Sequence, residues 1–483
     1  MLRKLYLMNI NRLLLVCSLL LAGCVSTESN EDLREVTILY TNDEHGWMEG
    51  MKSGQSAASL FDVWEKKEGY SPDGPFLILS GGDNWTGPAI STWTQGKSMI
   101  EVMNAMQYDA SAVGNHEFDF GLDVFKARAE EADFPYLSAN TRWRSNGETP
   151  TDIGILPYSI TMVNDLRIGI IGLTTRETPI ATHPAHVRDL EFIALERAVR
   201  QTLPEVEAAG TDLVVIIAHV CVDPLTQLIR ATADLNIALM GAGHCNELIA
   251  ENIEDTVLLG GGYHYEAYAK ATFTVNKETK EIVKRKFSTQ ENRFDTENAG
   301  ISALIARWAS QTQALLAEPL AYSNRALGRY SKALQQLIID SWLLADPTAD
   351  VAITNAGGIR IDLPKGPIDL GTIVALMPFD NSILALELDA QSIRTALDSG
   401  HEPVVAGLEK RRGQWVFTNN GEPLDESRSY RVLVNSFMYA GGDGYWPLSK
   451  GDPDAFDTGI NYRQPFQDWL EAQGSSEQNP LRL

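Results

Sequence analysis

Five short blocks of this sequence combine carboxylates, amides and imidazoles with glycine. In the first, Thr41-Asn42-Asp43-Glu44-His45-Gly46 follows the apolar run 36–40. A continued extended backbone would set Asp43 and His45 on one face, about 6–7 Å apart along the chain. Two donors so placed can share one ion. Gly81-Gly82-Asp83 follows a second apolar run, its glycines permitting a sharp turn that presents one carboxylate. Gly114-Asn115-His116-Glu117-Phe118-Asp119 follows a third, and Ala218-His219 and Gly243-His244-Cys245-Asn246 end two more. Oxygen from Asp and Asn with imidazole nitrogen is a hard-to-borderline donor set that suits Zn, Mn or Fe rather than a thiolate site. A single Asp or His after a strand is usually a turn or cap residue. Five such blocks in order along one chain are not accounted for that way.

A second group of residues lies further on. Asn355-Ala356-Gly357-Gly358-Ile359-Arg360 follows another apolar run, so the backbone can approach a ligand closely while Arg360 reaches an anionic or carbonyl oxygen. Met377-Pro378-Phe379-Asp380-Asn381 offers an aromatic on a turn, and Phe437 precedes the carboxylate-bearing glycine turn Gly441-Gly442-Asp443-Gly444-Tyr445. Two aromatic planes can clamp a purine or pyrimidine, at about 1–3 kcal/mol per stacked base, and a carboxylate accepts ribose hydroxyls. Either phenylalanine taken singly would read as a core residue.

The elements that must position these groups follow from periodicity. Apolar runs at 36–40, 76–79, 110–113, 167–173, 213–218 and 237–240 read as strands, and the stretches 57–67, 98–106 and 124–132 as helices, an α/β alternation. The polar blocks sit just after the strands, the edge where open α/β sheets bind ligands. A helical pattern over 301–316 stops at Glu318-Pro319, and the sequence restarts with a helix around 333–344 and a strand at 351–354. A chain of 483 residues exceeds the roughly 250–300 that one core supports, so two domains meeting in a cleft are expected. With 40 Lys+Arg against 64 Asp+Glu and a net charge of −24, nucleic-acid polymers are disfavoured as partners.

At the N-terminus, Arg3, Lys4 and Arg12 precede the apolar run 13–22, too short to span a bilayer but suited to an export signal. Leu21-Ala22-Gly23-Cys24 resembles a bacterial lipobox with Cys24 as the lipidated residue, and Val25 resembles outer-membrane sorting. Beyond them only Cys221 and Cys245 remain, too few for a disulfide-framed fold but each beside a histidine of the candidate site and able to bridge.

In this order, Asp-x-His, Gly-Asp, Gly-Asn-His-Glu, His and Gly-His-x-His, the five blocks resemble the calcineurin-like metallophosphoesterases over most of residues 36–270. The resemblance implies a layered α/β/β/α domain with two divalent ions, Zn or Mn, about 3.5–4 Å apart. Asp43 and His45 would hold one ion, Asn115, His219 and His244 the other, with Asp83 bridging them. A hydroxide between the ions would attack phosphorus. His116 would stabilise the phosphoryl oxygens or protonate the leaving oxygen, oriented by Asp119. Where most members carry the second histidine of Gly-His-x-His, Asn246 stands here, as in animal ecto-5′-nucleotidases; it is read as a phosphate or water contact. His183 and His186 are read as surface-loop residues, and His264 and His401 receive no role.

The second group of blocks resembles the 5′-nucleotidase C-terminal domain. The resemblance puts Phe379 and Phe437 around the base, Asp443 on the ribose, and Asn355, Asn381 and Arg360 on the nucleoside or phosphate. Arg329 matches only in part, because Ser331 and Gln335-Gln336 break the family's usual pattern of arginine, glutamate and Gly-Asn before a leucine. The expected organisation is a lipoprotein signal peptide at 1–23, a tether at 24–35, the phosphoesterase domain at 36–298, a linking helix at 299–320, the smaller α/β nucleotide-binding domain at 321–476 and a tail at 477–483. The expected protein is a lipid-anchored phosphohydrolase of the bacterial cell envelope, releasing phosphate from 5′-nucleotides. Cyclic nucleotides, nucleotide pyrophosphates, sugar nucleotides or thiosulfonate conjugates are alternative substrates on the same fold. A non-catalytic nucleoside-binding lipoprotein is disfavoured, since it would need neither the metal donors nor His116.

Overall fold

The computed structural model describes residues 32–52 and 54–481. The predicted signal peptide, Cys24 and most of the tether lie outside them. Strand Leu33–Thr41 sends Val36, Ile38 and Tyr40 to one side and Leu39 to the other, the period of two that an extended chain imposes. It is the third strand of a seven-stranded sheet ordered Ile282–Glu291, Ala267–Asn276, Leu33–Thr41, Phe76–Ser80, Ala110–Ala112, Tyr136–Leu137 and Ile155–Leu156. A six-stranded sheet is ordered Leu248–Ile253, Thr256–Gly261, Leu239–Gly241, Leu213–His219, Leu166–Thr174 and Tyr158–Val163.

The two sheets stack face to face. Val36, Ile38, Tyr40, Leu77 and Leu79 of the first meet Ile168, Ile170, Val215, Ile217 and Leu259 of the second in one buried cluster. The opposite faces are covered by helices, Ala57–Val63, Lys97–Ala105 and Leu122–Glu131 on the first sheet and Leu195–Ala208 and Val222–Ala231 on the second. This is the α/β/β/α sandwich that the resemblance implies.

A second body is built on a five-stranded sheet ordered Pro403–Ala406, Val351–Asn355, Ser429–Asn435, Ser382–Asp389 and Phe456–Asn461. Helices Lys332–Ala345 and Gln464–Ala472 cover one face, Ala390–Ser399 and Pro447–Gly451 the other. Helix Ala299–Leu316 connects the bodies: Ile301 and Ile305 belong to the first core, and Leu316 approaches Gly371 of the second body.

The helix expected over 57–67 divides into an α segment, Ala57–Val63, and a wider π turn, Trp64–Glu68. The antiparallel strands Ala267–Asn276 and Ile282–Glu291 add to the first sheet beyond the strands predicted, with Ala267, Ala269, Ala271, Phe273 and Val275 on the buried side of the first of them. No helix among the described residues is long and apolar enough to cross a membrane.

Candidate active site

Parallel strands Leu33–Thr41 and Phe76–Ser80 end side by side, and the loops beyond them are laced together. The backbone N–H groups of Asp43, His45 and Gly46 donate to the carbonyls of Gly82, Asp83 and Asn84 at 2.9, 3.0 and 2.7 Å. That lacing ends the extended conformation on which the predicted Asp43/His45 spacing rested. Both residues take left-handed backbone angles, φ 57° and 46°, and still converge, with His45 Nε2 3.9 Å from Asp43 Oδ1. Asp83, His244 and Asn246 are left-handed as well, at φ 58°, 74° and 62°. L-residues reach this region at a cost, and such angles persist where surrounding bonds over-determine them.

Asp83 stands at the centre. Its Oδ1 accepts the His116 backbone N–H at 2.8 Å and its Oδ2 lies 3.0 Å from His219 Nε2. Glu117 braces this loop from beneath, accepting the backbone N–H groups of Asp83, Asn84 and Gly114 at 2.9, 2.7 and 2.7 Å. Gly114 has to be glycine, because a Cβ there would lie 2.1 Å from Asp83 Oδ1.

Carbonyl oxygens only accept, so they settle which imidazole nitrogens are free. His45 Nδ1 donates to Thr86 O at 3.0 Å and His219 Nδ1 to Gly81 O at 2.9 Å, so Nε2 is the ring nitrogen each directs at the site. Around His219 Nε2 gather Asn115 Oδ1 at 3.1 Å, His244 Nδ1 at 3.2 Å and Asp83 Oδ2. Asp83, His219 and His244 form one group able to hold an ion, and His45, Asp83 and His116 a second. Asp43 Oδ1 is buried without a hydrogen-bond partner, beside the free face of His45. An orphaned carboxylate oxygen among oxygen and imidazole donors fits a divalent cation.

The electrostatics agree with that fit. Burial pushes the Asp43 carboxyl up to about 7, even against the attraction of His219. Burial alone would also raise Asp83, yet His219 and His116 hold it well below the usual carboxylate range. His219 is pushed up to about 9, its burial outweighed by Asp83 and Asp43, whereas burial and the His219 charge bring His244 down to about 4. These groups compete for too few protons, and an added cation would relieve the competition.

His116 Nδ1 donates to Asp119 Oδ2 at 2.7 Å. Burial opposes the charged imidazole, but Asp119 and Asp83 raise its pKa above the ordinary value. The His116 ring stacks on Phe379 of the second body, with centroids 5.7 Å apart and planes at 21°. Arg360 lies over that same phenylalanine at 5.7 Å. A cavity of about 950 Å³ joins these groups, lined from the first body by His45, Asp83, Asn115, His116, His244 and Asn246. From the second it is lined by Asn355, Arg360, Phe379, Asn381, Phe437 and Asp443, so nearly every predicted site residue borders one space. Asp43 and His219 lie just behind it, buried.

In the second body, the Asn355 amide donates to Asp443 Oδ2 at 2.7 Å and accepts from Asn435 at 3.0 Å, which fixes the carboxylate toward the cavity. Gly442 lets the Phe437 ring cross the turn, since a Cβ there would meet the ring at 2.4 Å. Arg329 borders the cavity but is committed locally: it donates to Arg360 O at 2.8 Å and lies over the Tyr330 ring. Ser331, one of the departures from the family pattern, caps helix Lys332–Ala345, and Gln335 donates to Arg329 O at 3.3 Å.

Two placements differ from the sequence reading, and a bridge it allowed is formed. His183 and His186 are not free surface residues: both border the cavity, their rings stack at 4.8 Å, and His186 Nδ1 donates to Phe118 O. His264 also borders it, held by a 3.2 Å bond from its backbone N–H to Asp43 O. Cys221 and Cys245 are joined, with Cα atoms 5.1 Å apart, tying the His219 loop to the His244 loop. Glu117 was legible within its motif but had no assigned work; Thr182, whose hydroxyl donates to Asp119 Oδ1 at 2.9 Å, had no sequence signal.

Comparison with known proteins was consistent across sequence and fold. Residues 313–450 match the family described as 5′-nucleotidase, C-terminal domain. A 5′-nucleotidase of Vibrio cholerae is 25% identical over 536 aligned residues, covering 95% of each chain. A cell wall protein of Listeria monocytogenes is 24% identical over 534 residues, covering 90% of this chain and 68% of its own. The crystal structure of a 5′-nucleotidase precursor from Thermus thermophilus shares the fold, with a TM-score of 0.79 and 23% identity over 92% of this chain and 97% of that one.

Proposed function

We propose that this chain, which is similar to 5′-nucleotidases over most of its length and carries a match to their C-terminal domain, is a hydrolase that releases phosphate from 5′-nucleotides in a metal-dependent reaction. The contact of Phe379 with His116 carries this reading. It sets a base-stacking surface and Arg360 against the same imidazole that faces the metal donors, so one molecule bearing both a phosphoryl group and a nucleoside satisfies both sides of the cavity.

In this reading Asp43, His45 and Asp83 would hold one divalent ion, Zn or Mn, and Asp83, Asn115, His219 and His244 a second. When bound, such ions supply an activated water and counter-charge for the phosphoryl group. Asp119 keeps the His116 ring oriented with Nε2 toward the cavity, where it offers a proton to a phosphoryl or leaving oxygen. Asn246 contacts phosphate or water. Phe379 and Phe437 hold the base, Asp443 accepts ribose hydroxyls, and Asn355, Asn381 and Arg360 complete the nucleoside and phosphate contacts. Arg329 acts chiefly by holding the Arg360 backbone.

The proposed division is a catalytic domain at 36–298, a linking helix and a substrate domain at 321–476. Export with attachment to lipid through Cys24 is the proposed setting. The Cys221–Cys245 disulfide suits an oxidising compartment, and the relative named a cell wall protein is consistent with one.

The test is phosphate release from 5′-nucleotides, cyclic nucleotides, sugar nucleotides and p-nitrophenyl phosphate, after chelation and separate reconstitution with Zn, Mn, Co and Mg. Release from 5′-nucleotides that chelation abolishes and a metal restores is expected. Nucleoside binding without release under any metal would replace the enzyme by a binding protein.

A further inference from the structure

Strand Leu166–Thr174 ends at the same edge as the metal-donor strands, and the chain after it, 175–187, crosses back over the site. This strap makes a series of contacts with groups the sequence motifs supply. The Ala181 carbonyl accepts the Asn115 amide N–H at 3.2 Å, which turns Asn115 Oδ1 toward His219. The Thr182 hydroxyl donates to Asp119 Oδ1 at 2.9 Å, and His186 Nδ1 donates to Phe118 O at 3.0 Å. Glu177 Oε2 lies 3.5 Å from His244 Nε2. On its other side, the helical turn Thr178–Ala181 packs against Gly442–Gly444, the turn that carries Asp443.

Thr182 occupies the decisive position in this strap. Asp119 uses Oδ2 for His116, at 2.7 Å, and its side chain is only 6% exposed, so Oδ1 needs a protein donor. Thr182, 1% exposed, is that donor. With one oxygen anchored on a hydroxyl, the carboxylate plane is fixed, and with it the direction in which the His116 ring is held. With Oδ1 unanchored, the carboxylate can rotate and the imidazole loses its single preferred orientation.

We propose that Thr182 is a positioning residue for the Asp119–His116 pair. Its hydroxyl orients the carboxylate that orients the imidazole, and the strap bearing it joins that pair to the turn carrying Asp443. The proposal rests on the phosphohydrolase reading of the site. Thr182→Val keeps the size of the side chain and removes the donor; Thr182→Ser keeps the donor.

Steady-state kinetics, metal content, thermal midpoint and low-field proton NMR are measured for Thr182→Val, Thr182→Ser, Asp119→Asn and the Thr182→Val/Asp119→Asn double variant. Thr182→Val should retain metal and KM while kcat falls roughly tenfold, as loss of one hydrogen bond to a charged group implies. Thr182→Ser should restore kcat, and Thr182→Val should cost nothing further once Asp119 is Asn. In chelated protein, the low-field Nδ1 proton that His116→Ala removes should be present in the parent and in Thr182→Ser but broadened or lost in Thr182→Val. An equal fall of kcat in the Asp119→Asn background, failure of serine to rescue, or an unchanged proton signal would overturn the proposal. If Thr182→Val lowers the thermal midpoint, Thr182→Ala is put through the same cycle with the same criteria. A parent protein that releases no phosphate under any metal would defeat the functional reading, whereas the NMR arm needs neither metal nor turnover.

Discussion

Asp83 does more than any other residue at the centre. One of its oxygens accepts from the backbone of the Gly114–His116 loop, the other meets His219, and both donor groups able to hold an ion include it. Removing it takes a ligand from each group and leaves the remaining cationic charges to repel. Asp83→Ala is therefore expected to bind less metal, measured by elemental analysis, and to have negligible phosphate release; near-normal turnover with two bound ions would contradict the assignment. His116 is the contrasting case. It belongs by distance to one donor group, yet its Nδ1 is engaged by Asp119 and its ring by Phe379. If it acts on the transition state, His116→Ala should keep metal and KM while kcat falls roughly 10²–10⁴-fold. Loss of one ion in that variant would instead make it a ligand.

The elements explain why such residues can be held so closely. Parallel strands deliver their loops to one edge, and backbone bonds between the Asp43 and Asp83 loops, with the Glu117 carboxylate beneath, leave little freedom at the donors. The same sheet contains a pH-sensitive joint away from this donor cluster. Asp109, just before strand Ala110–Ala112, accepts the Ile78 backbone N–H of the neighbouring strand at 2.8 Å, and burial pushes its carboxyl from 3.8 up to about 6. The folded state thus holds this proton more tightly than the unfolded chain. Its stability contribution is present below about 4 and declines as pH rises through about 6. Asp109→Asn keeps an acceptor without the charge. Chemical denaturation should show it equal to the parent near pH 4 and more stable by roughly 2–3 kcal/mol at pH 7; a constant difference across that window would contradict the assignment.

At the scale of the molecule, the candidate metal donors and the aromatic pair belong to different bodies and share one cavity of about 950 Å³. Binding energy gathered on the nucleoside can then be used at the phosphoryl group, as expected when remote contacts favour the transition state. Replacing both Phe379 and Phe437 with Ala should lower kcat/KM on a nucleoside monophosphate far more than on p-nitrophenyl phosphate, whose phosphate reaches the donors without a base. Equal losses on the two substrates would point to altered approach of the two bodies, and no loss on either would remove the base clamp.

The sequence by itself determined the donor types, their order and the strands that carry them. Each donor block is contiguous and follows an apolar run kept nearly continuous by burial on both faces of a strand, as with Val36, Ile38 and Tyr40 on one face and Leu39 on the other. The second group of candidate residues was legible for the same reason, since Asn355 to Arg360 and Gly441 to Tyr445 are local turns, and the cavity is lined by Asn355, Arg360 and Asp443 from them. Tertiary structure decided what depends on neighbours remote in the chain. Carbonyls of Thr86 and Gly81 choose which nitrogens of His45 and His219 are free, Glu117 gathers N–H groups from two loops, and Cys221 reaches Cys245. Thr182 acquires a partner only because its strap folds back across Asp119, and Phe379 meets His116 only because two bodies close on one cavity. Such contacts leave no periodic trace in a sequence, because one hydroxyl or one ring is placed by the packing of whole elements rather than by the residues beside it.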